Sequence, residues 1–366
     1  MKFTIKTTQL QDLVSKAIKC SSNADRMNKL VVPTTSFMEI SLFGKRLTLT
    51  TTDATNYFSV STEVDDTQEF SVVVMADSFA KLIAKMTCDT VTLNLENESF
   101  SVTGGKSKYN IELPLDVDGT LVKLALPDTE DATILKGESI SVSKIKLILA
   151  SAKSALATTL DAPCYTAYYV GDSVLTTDSF KVCCINSKLV EQPVLISSNT
   201  MDILDIMAND DEAEILYQRS NNTLVFSTPN CILRTKAYDG IENYSVDAIL
   251  GFVNSEFTSE CIVDKDEMLQ ALDRLSLFVG DYDRNVITIK FGNNSIIMQN
   301  RKNVGIETID CISGGDAEFD CAVDVEMLKS QIKVNSSDEV KIQYGLDNCI
   351  KIIDGDTIQI IALFVK

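Results

Sequence analysis

The sequence contains no histidine at all. A chain without imidazole cannot use histidine as a general acid or base, build a Ser–His or Cys–His nucleophile pair, or hold a metal through histidine. Ten cysteines among 366 residues are too few for a disulfide scaffold, and none forms a C-x-x-C pair that would suggest zinc or redox chemistry. We therefore expect neither a metal nor a cofactor, and cysteines that act as small buried hydrophobic residues in a reducing cytosol.

Long apolar runs are also missing. No stretch approaches 18 consecutive apolar residues, and the start, MKFTIKTTQL, lacks the apolar segment of a signal peptide. Fifteen glycines and six prolines are too few for a fibrous or low-complexity chain. With 45% hydrophobic residues, the length is sufficient for two or three packed domains. We expect a folded cytoplasmic protein without a membrane partner.

Positive charge is scarce. Thirty-three lysines and arginines stand against 52 aspartates and glutamates, which gives a net charge of −19. Spread evenly, such a charge would repel nucleic acid and anionic membranes. The distribution of the charge along the chain therefore decides which partners remain possible.

Six segments have the apolar spacing of a helix that buries one face. The first places Leu10, Leu13, Val14 and Ala17 on one stripe. The six windows are 8–20, 77–87, 143–157, 199–209, 264–277 and 324–333. Runs with the alternating pattern of strands follow each helix, and the pattern predicts an α+β fold in which helices lie on antiparallel sheets.

The helix-and-strand pattern repeats three times. Strands beginning near Val74, Ile196 and Val323 are 122 and 127 residues apart, and each leads into a helix and then a block of three strands. Two Thr-Thr-Asp sequences, ending at Asp53 and Asp178, are 125 residues apart. The repeat predicts three domains, 1–120, 130–245 and 255–366, each made of two helix-plus-sheet units, with linkers at 114–131 and 239–256.

The predicted helices are depleted of negative charge. Together they hold eleven basic and ten acidic residues, so the rest of the chain carries −20. The first three helices are basic through Lys16, Lys19, Lys81, Lys85, Lys144, Lys146 and Lys153. One explanation of this pattern is that helix surfaces in general favour lysine. A shared helical surface that faces a polyanion would explain it equally well, because modestly spaced lysines suffice for sequence-independent attraction to DNA.

Several stretches resemble the bacterial sliding clamp, the beta subunit of DNA polymerase III. They are the opening MKFTIKTTQLQDLVSKAI, Pro33 with the following TTSFMEISLFGKRLTLTTTD, LTTDSFKVCC, LRTKAYDGIENY and the end IQIIALFVK. The stretches occur in the same order as in the family, and the resemblance covers the whole chain. No single stretch is specific by itself.

The resemblance implies the DNA-clamp fold, with three like domains forming a half-ring. Two chains would close head to tail around duplex DNA, with helices lining the hole and sheets outside. The resemblance further implies a processivity factor: a non-catalytic accessory subunit that tethers a replicative polymerase and is placed on DNA by a clamp loader.

The resemblance also assigns residues. A pocket for partner peptides would be formed by Thr177, Asp178, Ser179, Phe180, Lys181, Val182, Tyr244, Ile360, Ala362, Leu363, Phe364 and Val365. DNA would be contacted by Arg26 and Lys29 in addition to the seven helix lysines. Tyr109 and Ile111 of one chain would face Leu275, Leu277 and Phe278 of the next. The alternative interpretation of the apolar pocket positions and of Leu275 is that they pack in the core. The alternative for Arg26 and Lys29 is that they are solvated charges of a loop.

The pocket departs from the family pattern. The family's Gly-His-Arg is Ser179-Phe180-Lys181 here, and its Met-Pro-Met-Arg ending is Ala362 to Val365. An added aromatic side chain without an arginine predicts a different peptide preference. We expect a divergent clamp that serves its own polymerase, of phage or other mobile-element origin.

Two other classes of protein stay open at this point. A metal-dependent nuclease would use carboxylate pairs such as Asp65-Asp66 and Asp210-Asp211, although both lie in polar, turn-like stretches. A β-rich structural or capsid-associated protein would also fit the repeats and the acidity. For such a protein there is no reason to expect that negative charge is kept off the helices.

Overall fold

The six predicted apolar stripes all form helices in a computed structural model of the chain. The structure describes residues 1–21, 33–66, 69–96, 99–115, 118–124, 137–159, 161–209, 213–279, 285–300 and 304–364. The helices are α1 Thr7–Ala17, α2 Ala76–Ala84, α3 Val142–Ser151, α4 Ser198–Ala208, α5 Val246–Val253, α6 Lys265–Ser276 and α7 Val325–Lys333. The additional helix, α5, lies inside the segment 239–256 that we predicted to be a linker.

The described residues also form 25 strands. They are β1 Lys2–Lys6, β2 Phe37–Phe43, β3 Arg46–Thr52, β4 Tyr57–Glu63, β5 Phe70–Met75, β6 Thr90–Glu96, β7 Ser99–Gly104, β8 Ser107–Ile111, β9 Glu138–Ser141, β10 Ala167–Val170, β11 Val174–Thr177, β12 Lys181–Ile185, β13 Val194–Ser197, β14 Glu214–Ser220, β15 Thr223–Ser227, β16 Cys231–Lys236, β17 Ser259–Asp264, β18 Val286–Gly292, β19 Ser295–Asn300, β20 Ile306–Asp310, β21 Ser313–Gly314, β22 Phe319–Asp324, β23 Glu339–Tyr344, β24 Cys349–Asp354 and β25 Thr357–Ala362. Every pairing between them is antiparallel, as the alternating patterns predicted.

The chain divides into two compact units. Unit 1 contains residues 1–143 and 199–237, and unit 2 contains residues 144–198 and 238–366. Unit 1 holds a four-stranded sheet, β1-β6-β7-β8, and an eight-stranded sheet, β5-β2-β3-β4-β16-β15-β14-β9. Unit 2 holds a four-stranded sheet, β20-β19-β18-β22, and a nine-stranded sheet, β13-β10-β11-β12-β25-β24-β23-β17-β21.

Each large sheet is joined in its middle by strands that are distant in sequence. In unit 1, β4 pairs with β16, so that Val60 lies opposite Cys231. In unit 2, β12 pairs with β25, so that Val182 lies opposite Ile360. The predicted domains 1–120, 130–245 and 255–366 would each contribute strands to these sheets, and that division stays a prediction.

The helices bury the faces that their spacing predicted. In α1, Leu10, Leu13, Val14 and Ala17 are all buried, and each buried leucine or valine contributes about 1.5–3 kcal/mol when it is removed from water. Gln11 of α1 donates from Nε2 to two carbonyl oxygens at the end of α2, those of Ile83 and Met86, at 3.0 Å each. The apolar faces therefore hold the helices on the sheets while leaving their other sides exposed.

The cysteines are all free thiols. Eight are buried, and Cys88 and Cys311 are half-buried. Burial raises the pKa of the Cys184 thiol to about 11, so the thiol stays protonated at neutral pH. For these eight residues the prediction of small buried hydrophobic side chains is confirmed.

Candidate partner-binding groove

An apolar cavity of about 370 Å³ opens in unit 2 where β12 meets β25. We call it the anchor pocket. Its lining residues are Tyr165, Thr177, Ser179, Phe180, Val182, Ser245, Ala248, Ile249, Phe252, Asn348, Cys349, Ile360 and Ala362. Six of the twelve predicted peptide-pocket residues are among them, and they come from sequence positions as distant as Thr177 and Ala362.

The anchor pocket has a buried aliphatic floor and an exposed aromatic rim. Val182, Ile249 and Ile360 are buried, with at most 8% of their surface exposed. Phe180 is 59% exposed and Phe252 44% exposed. Large apolar side chains left in water beside an open cavity are characteristic of a binding surface.

A hydrogen-bonded loop positions Phe180. Asp178 Oδ1 accepts the backbone N–H of Phe180 at 2.9 Å and that of Lys181 at 2.7 Å. Thr177 Oγ1 accepts the N–H of Ser179 at 3.0 Å and donates to the carbonyl oxygen of Lys181 at 2.7 Å. Ser179 has a φ of 77°, a left-handed conformation that is uncommon for residues other than glycine. The loop turns sharply at Ser179 and presents Phe180 at the rim of the pocket.

The same loop occurs in unit 1 after β3. Thr52 Oγ1 donates to the carbonyl oxygen of Asn56 at 2.7 Å. Asp53 Oδ1 accepts the N–H groups of Thr55 and Asn56 at 2.9 and 2.7 Å. Ala54 takes the left-handed position with a φ of 79°. The repeated Thr-Thr-Asp sequence therefore forms the same hydrogen-bonded loop in both units, as the repeat predicted.

Three of the predicted pocket residues support the pocket without lining it. Asp178 caps the loop, and Lys181 lies 3.3 Å from its Oδ2 and donates to the carbonyl oxygen of Ser154 at 2.7 Å. Tyr244 is buried and donates to the carbonyl oxygen of Leu175 at 3.0 Å. Burial raises the pKa of Tyr244 well above its ordinary value, so its hydroxyl remains a donor. None of the three is among the residues that line the anchor pocket, and their assignment to the peptide site stays a prediction.

A second cavity of about 480 Å³ adjoins the anchor pocket. We call it the acidic cavity. It is lined by Phe319, Asp320, Cys321, Asp347, Asn348, Leu363 and Phe364. Asn348 lines both cavities, which places them side by side. The predicted residues Leu363 and Phe364 belong to this second cavity, and Val365 lies outside the described residues.

Backbone hydrogen bonds fix the chain end between the two cavities. The N–H of Ala362 donates to the carbonyl oxygen of Phe180 at 2.9 Å, and that of Leu363 to Asn348 at 2.9 Å. The N–H of Phe364 donates to Ala322 at 2.8 Å. The wall shared by the cavities is therefore a continuation of the sheet, and its shape is formed before any occupant binds.

Sequence reasoning missed seven lining residues, three of which come from α5. Ala248, Ile249 and Phe252 line the anchor pocket from this helix. The spacing of Ile249, Phe252 and Val253 is i, i+3, i+4, which is the helical signal that the linker interpretation of 239–256 overlooked.

Four of the predicted DNA-contacting lysines lie on helices, and Lys19, Lys85 and Lys153 lie just after the ends of α1, α2 and α3. Lys19, Lys81, Lys85, Lys144, Lys146 and Lys153 are exposed, and Lys16 is half-buried. Two of them form ion pairs one turn apart, Lys16 with Asp12 at 2.8 Å and Lys81 with Asp77 at 2.6 Å. Arg26 and Lys29 lie outside the described residues.

The predicted dimer-contact residues fall into exposed and buried sets. Tyr109 on the edge strand β8 is 42% exposed, and Ile111 is half-buried. Leu277 and Phe278, directly after α6, are 77% and 50% exposed. Leu275 is buried in the core of unit 2, because it shares the apolar face of α6 with Leu272, so its prediction as a contact residue is wrong.

Two chemical features are missing from the described part of the chain. None of its helices is long and apolar enough to cross a membrane. Nor do the described residues contain a group of three or more cysteine, aspartate or glutamate side chains placed to hold a metal ion. Asp210 and Asp211, considered above as a carboxylate pair, lie outside the described residues.

Comparison with known proteins shows a similarity to one family. Residues 1–118 match the family model of the N-terminal domain of the DNA polymerase III beta subunit. The beta sliding clamp of Bacillus subtilis is 23% identical over 369 residues, covering 94% of this chain and 93% of that protein. The beta sliding clamp of Staphylococcus aureus is 24% identical over 373 residues, with the same coverage. The chain is similar to bacterial beta sliding clamps over nearly its whole length.

Solved sliding-clamp structures show the same fold over the full length. A Bacillus subtilis sliding clamp matches with a TM-score of 0.85 at 20% identity, covering 100% of this chain and 99% of that one. The beta subunit from Streptococcus pyogenes matches with a TM-score of 0.86 at 19% identity, covering 100% of both chains. The α+β sliding-clamp fold expected from the sequence is confirmed.

Proposed function

We propose that this clamp chain is a DNA polymerase processivity factor that encircles duplex DNA as a head-to-tail homodimer. The observation that carries the proposal is the extent of the likeness: 94% of this chain aligns with 93% of a curated beta sliding clamp. A protein that shared only one domain with the sliding clamps would not be expected to align with them over nearly its whole length.

The proposed function is a topological tether and requires no catalytic group. A polymerase held by a closed ring rebinds the same template at a high effective concentration, because the ring cannot leave closed circular DNA without opening. A clamp loader would open and close the ring. The absence of histidine from the sequence agrees with a non-catalytic role.

The helix lysines are proposed to face the DNA. Duplex DNA carries one negative charge per roughly 1.7 Å of its axis, so spaced cations attract it without reading its sequence. Lys19, Lys85 and Lys146 are exposed on three different helices or their ends. Because the remainder of the chain carries −20, DNA would be repelled from other surfaces. Arg26 and Lys29 are proposed to add to this contact.

Ring closure is proposed to join two edge strands of opposite charge. β8 is the edge of its sheet in unit 1, and its lysine, Lys108, follows Lys106 of the preceding turn. β20 is the edge of its sheet in unit 2 and carries Asp310 and Glu307, of which Glu307 is paired with Arg274 at 2.7 Å. Unpaired edges favour pairing with another chain, and exposed Tyr109 and Leu277 would add apolar contact.

The anchor pocket and the acidic cavity together form a groove, which is proposed to receive the polymerase. An extended peptide that inserts apolar side chains into the anchor pocket would use a preformed surface. Other proteins that act at the replication fork would compete for the same groove, since each unit 2 offers one such pocket.

The test combines solution mass with DNA topology. Light scattering should give a mass of twice 40.2 kDa. After treatment with a clamp loader, the protein should stay bound to nicked circular DNA through gel filtration and be released when that DNA is linearised. Equal retention on circular and linear DNA would contradict a sliding ring, and nuclease activity of the pure protein would favour an enzyme instead.

A further inference from the structure

The two cavities of the groove differ in charge. None of the thirteen residues that line the anchor pocket is charged. Among the described residues that line the acidic cavity, the charged ones are Asp320 and Asp347, and no lysine or arginine accompanies them. An occupant that extends from one cavity into the other therefore passes from a neutral apolar surface to a negative one.

The two carboxylates are available to a ligand. Both aspartates are exposed. Asp320 Oδ2 approaches Lys290 Nζ only to 3.9 Å, and both side chains remain about half exposed, at 52% and 57%. By contrast, Glu260 of the same unit lies 2.9 Å from Lys341. Within the part of the chain that the structure describes, neither aspartate thus has an ion pair as close as that of Glu260.

The remaining walls of the acidic cavity suit a long cationic side chain. Phe319, Leu363 and Phe364 supply apolar surface beside the aspartates. Lysine and arginine pack their methylene groups along apolar surface while their charged ends remain near water or carboxylates. A divalent cation would require more ligands than two aspartates, and the described residues hold no group of three or more metal ligands.

The cavities are close enough for one short peptide. Ala362 lines the anchor pocket, and the next two residues, Leu363 and Phe364, line the acidic cavity. An extended chain advances about 3.3 Å per residue, so neighbouring positions of a bound peptide reach both cavities.

We infer that the groove selects partner segments that carry a lysine or arginine beside their apolar anchor residues, and that Asp320 and Asp347 determine this selectivity. The inference rests on the proposed function of the groove as the polymerase-binding site. It names the chemistry of the partner segment: an extended peptide with apolar anchor side chains and one neighbouring positive charge.

The test uses a matched set of synthetic peptides and the intact chain. Each fluorescent decapeptide has a central leucine-phenylalanine anchor in a glycine–serine background, with lysine, glutamine or glutamate placed at each flanking position in turn. Binding is measured by fluorescence anisotropy. We expect lysine at one or two positions to bind roughly 3- to 10-fold more tightly than glutamine there, because each exposed ion pair changes the binding constant only a few-fold. Glutamate at those positions should bind more weakly than glutamine.

Charge-neutral variants identify the source of the preference. The double variant Asp320→Asn with Asp347→Asn should lose the difference between lysine and glutamine while still binding the glutamine peptide. The double variant Asp338→Asn with Glu339→Gln removes the same charge at exposed positions outside both cavities and should keep the preference. Raising the salt concentration should reduce the preference for lysine and leave the glutamine peptide little affected.

The outcomes separate this inference from the proposed function. Equal binding of the lysine, glutamine and glutamate peptides at every position would overturn the inference and leave the groove as a peptide site. A lysine preference that persists in the Asp320→Asn, Asp347→Asn variant would overturn it as well. Failure of every peptide to bind would refute both the inference and the groove's role, whereas retention on circular DNA tests the ring independently.

Discussion

Asp178 accepts the backbone N–H of Phe180 at 2.9 Å, and this hydrogen bond fixes an exposed phenylalanine at the rim of the anchor pocket. The carboxylate does not line the pocket itself. It acts on the groove by setting the backbone of the loop, in which Ser179 takes a φ of 77°. The equivalent loop in unit 1 has the same hydrogen bonds around Asp53 but carries no phenylalanine. This pair of loops allows loop stability and groove function to be separated.

The first prediction uses this pair of aspartates. Asp178→Ala removes two hydrogen bonds to a charged acceptor and should lower the free energy of unfolding by about 1.5–3 kcal/mol. Asp53→Ala should cost a similar amount, measured for both by urea unfolding. Only Asp178→Ala should weaken binding of the leucine-phenylalanine peptide. An equal loss of peptide binding in Asp53→Ala would show that the effect is general destabilisation.

The second prediction concerns the aromatic rim. Phe252→Ala should weaken peptide binding by about 2 kcal/mol, or roughly 30-fold, because truncating an aromatic residue at an interface removes a large apolar contact. Phe252 is 44% exposed, so the melting temperature should change little. Phe43→Ala is the matched control, since Phe43 is 75% exposed on a hairpin of unit 1. Binding that survives Phe252→Ala unchanged would place the peptide elsewhere.

The third prediction tests ring closure. Leu277→Asp places a charge at a residue that is 77% exposed, and it should convert the dimer to a monomer without unfolding the chain. The reason is that burying an unpaired carboxylate in an apolar contact is unfavourable. Light scattering over a dilution series measures the effect, with Phe43→Asp as the control. A Leu277→Asp protein that remains dimeric at the same concentrations would exclude this residue from the interface.

The fourth prediction concerns pH. The hydrogen bond from Lys341, assisted by one from Gln343, lowers the pKa of Glu260 below its ordinary value of 4.5. A carboxyl whose pKa is lowered by folding contributes stability above its unfolded pKa and loses this contribution as the pH falls through the folded pKa. A double-mutant cycle of Glu260→Gln and Lys341→Gln, measured by urea unfolding, should therefore give a favourable coupling at pH 7 that disappears in acid. A coupling that does not change with pH would contradict the ion pair.

The sequence alone determined the local structure of several elements of this protein. The stripe of Leu10, Leu13 and Val14 predicted α1, and the spacing of Asp53 and Asp178 predicted one loop used twice. These predictions succeeded because local spacing and hydrogen-bonding chemistry act within a few residues. The charge difference between helices and the rest of the chain was equally visible in the sequence.

Only the tertiary structure decided which residues form the groove. Val182 and Ile360 meet because β12 pairs with β25 across 178 residues of chain, a register that no local pattern specifies. Packing also decided that Leu275 belongs to the core while Leu277, two residues later, is exposed. Burial depends on what the rest of the chain places against a side chain, and the same packing brought Ile249 and Phe252 of α5 to the anchor pocket.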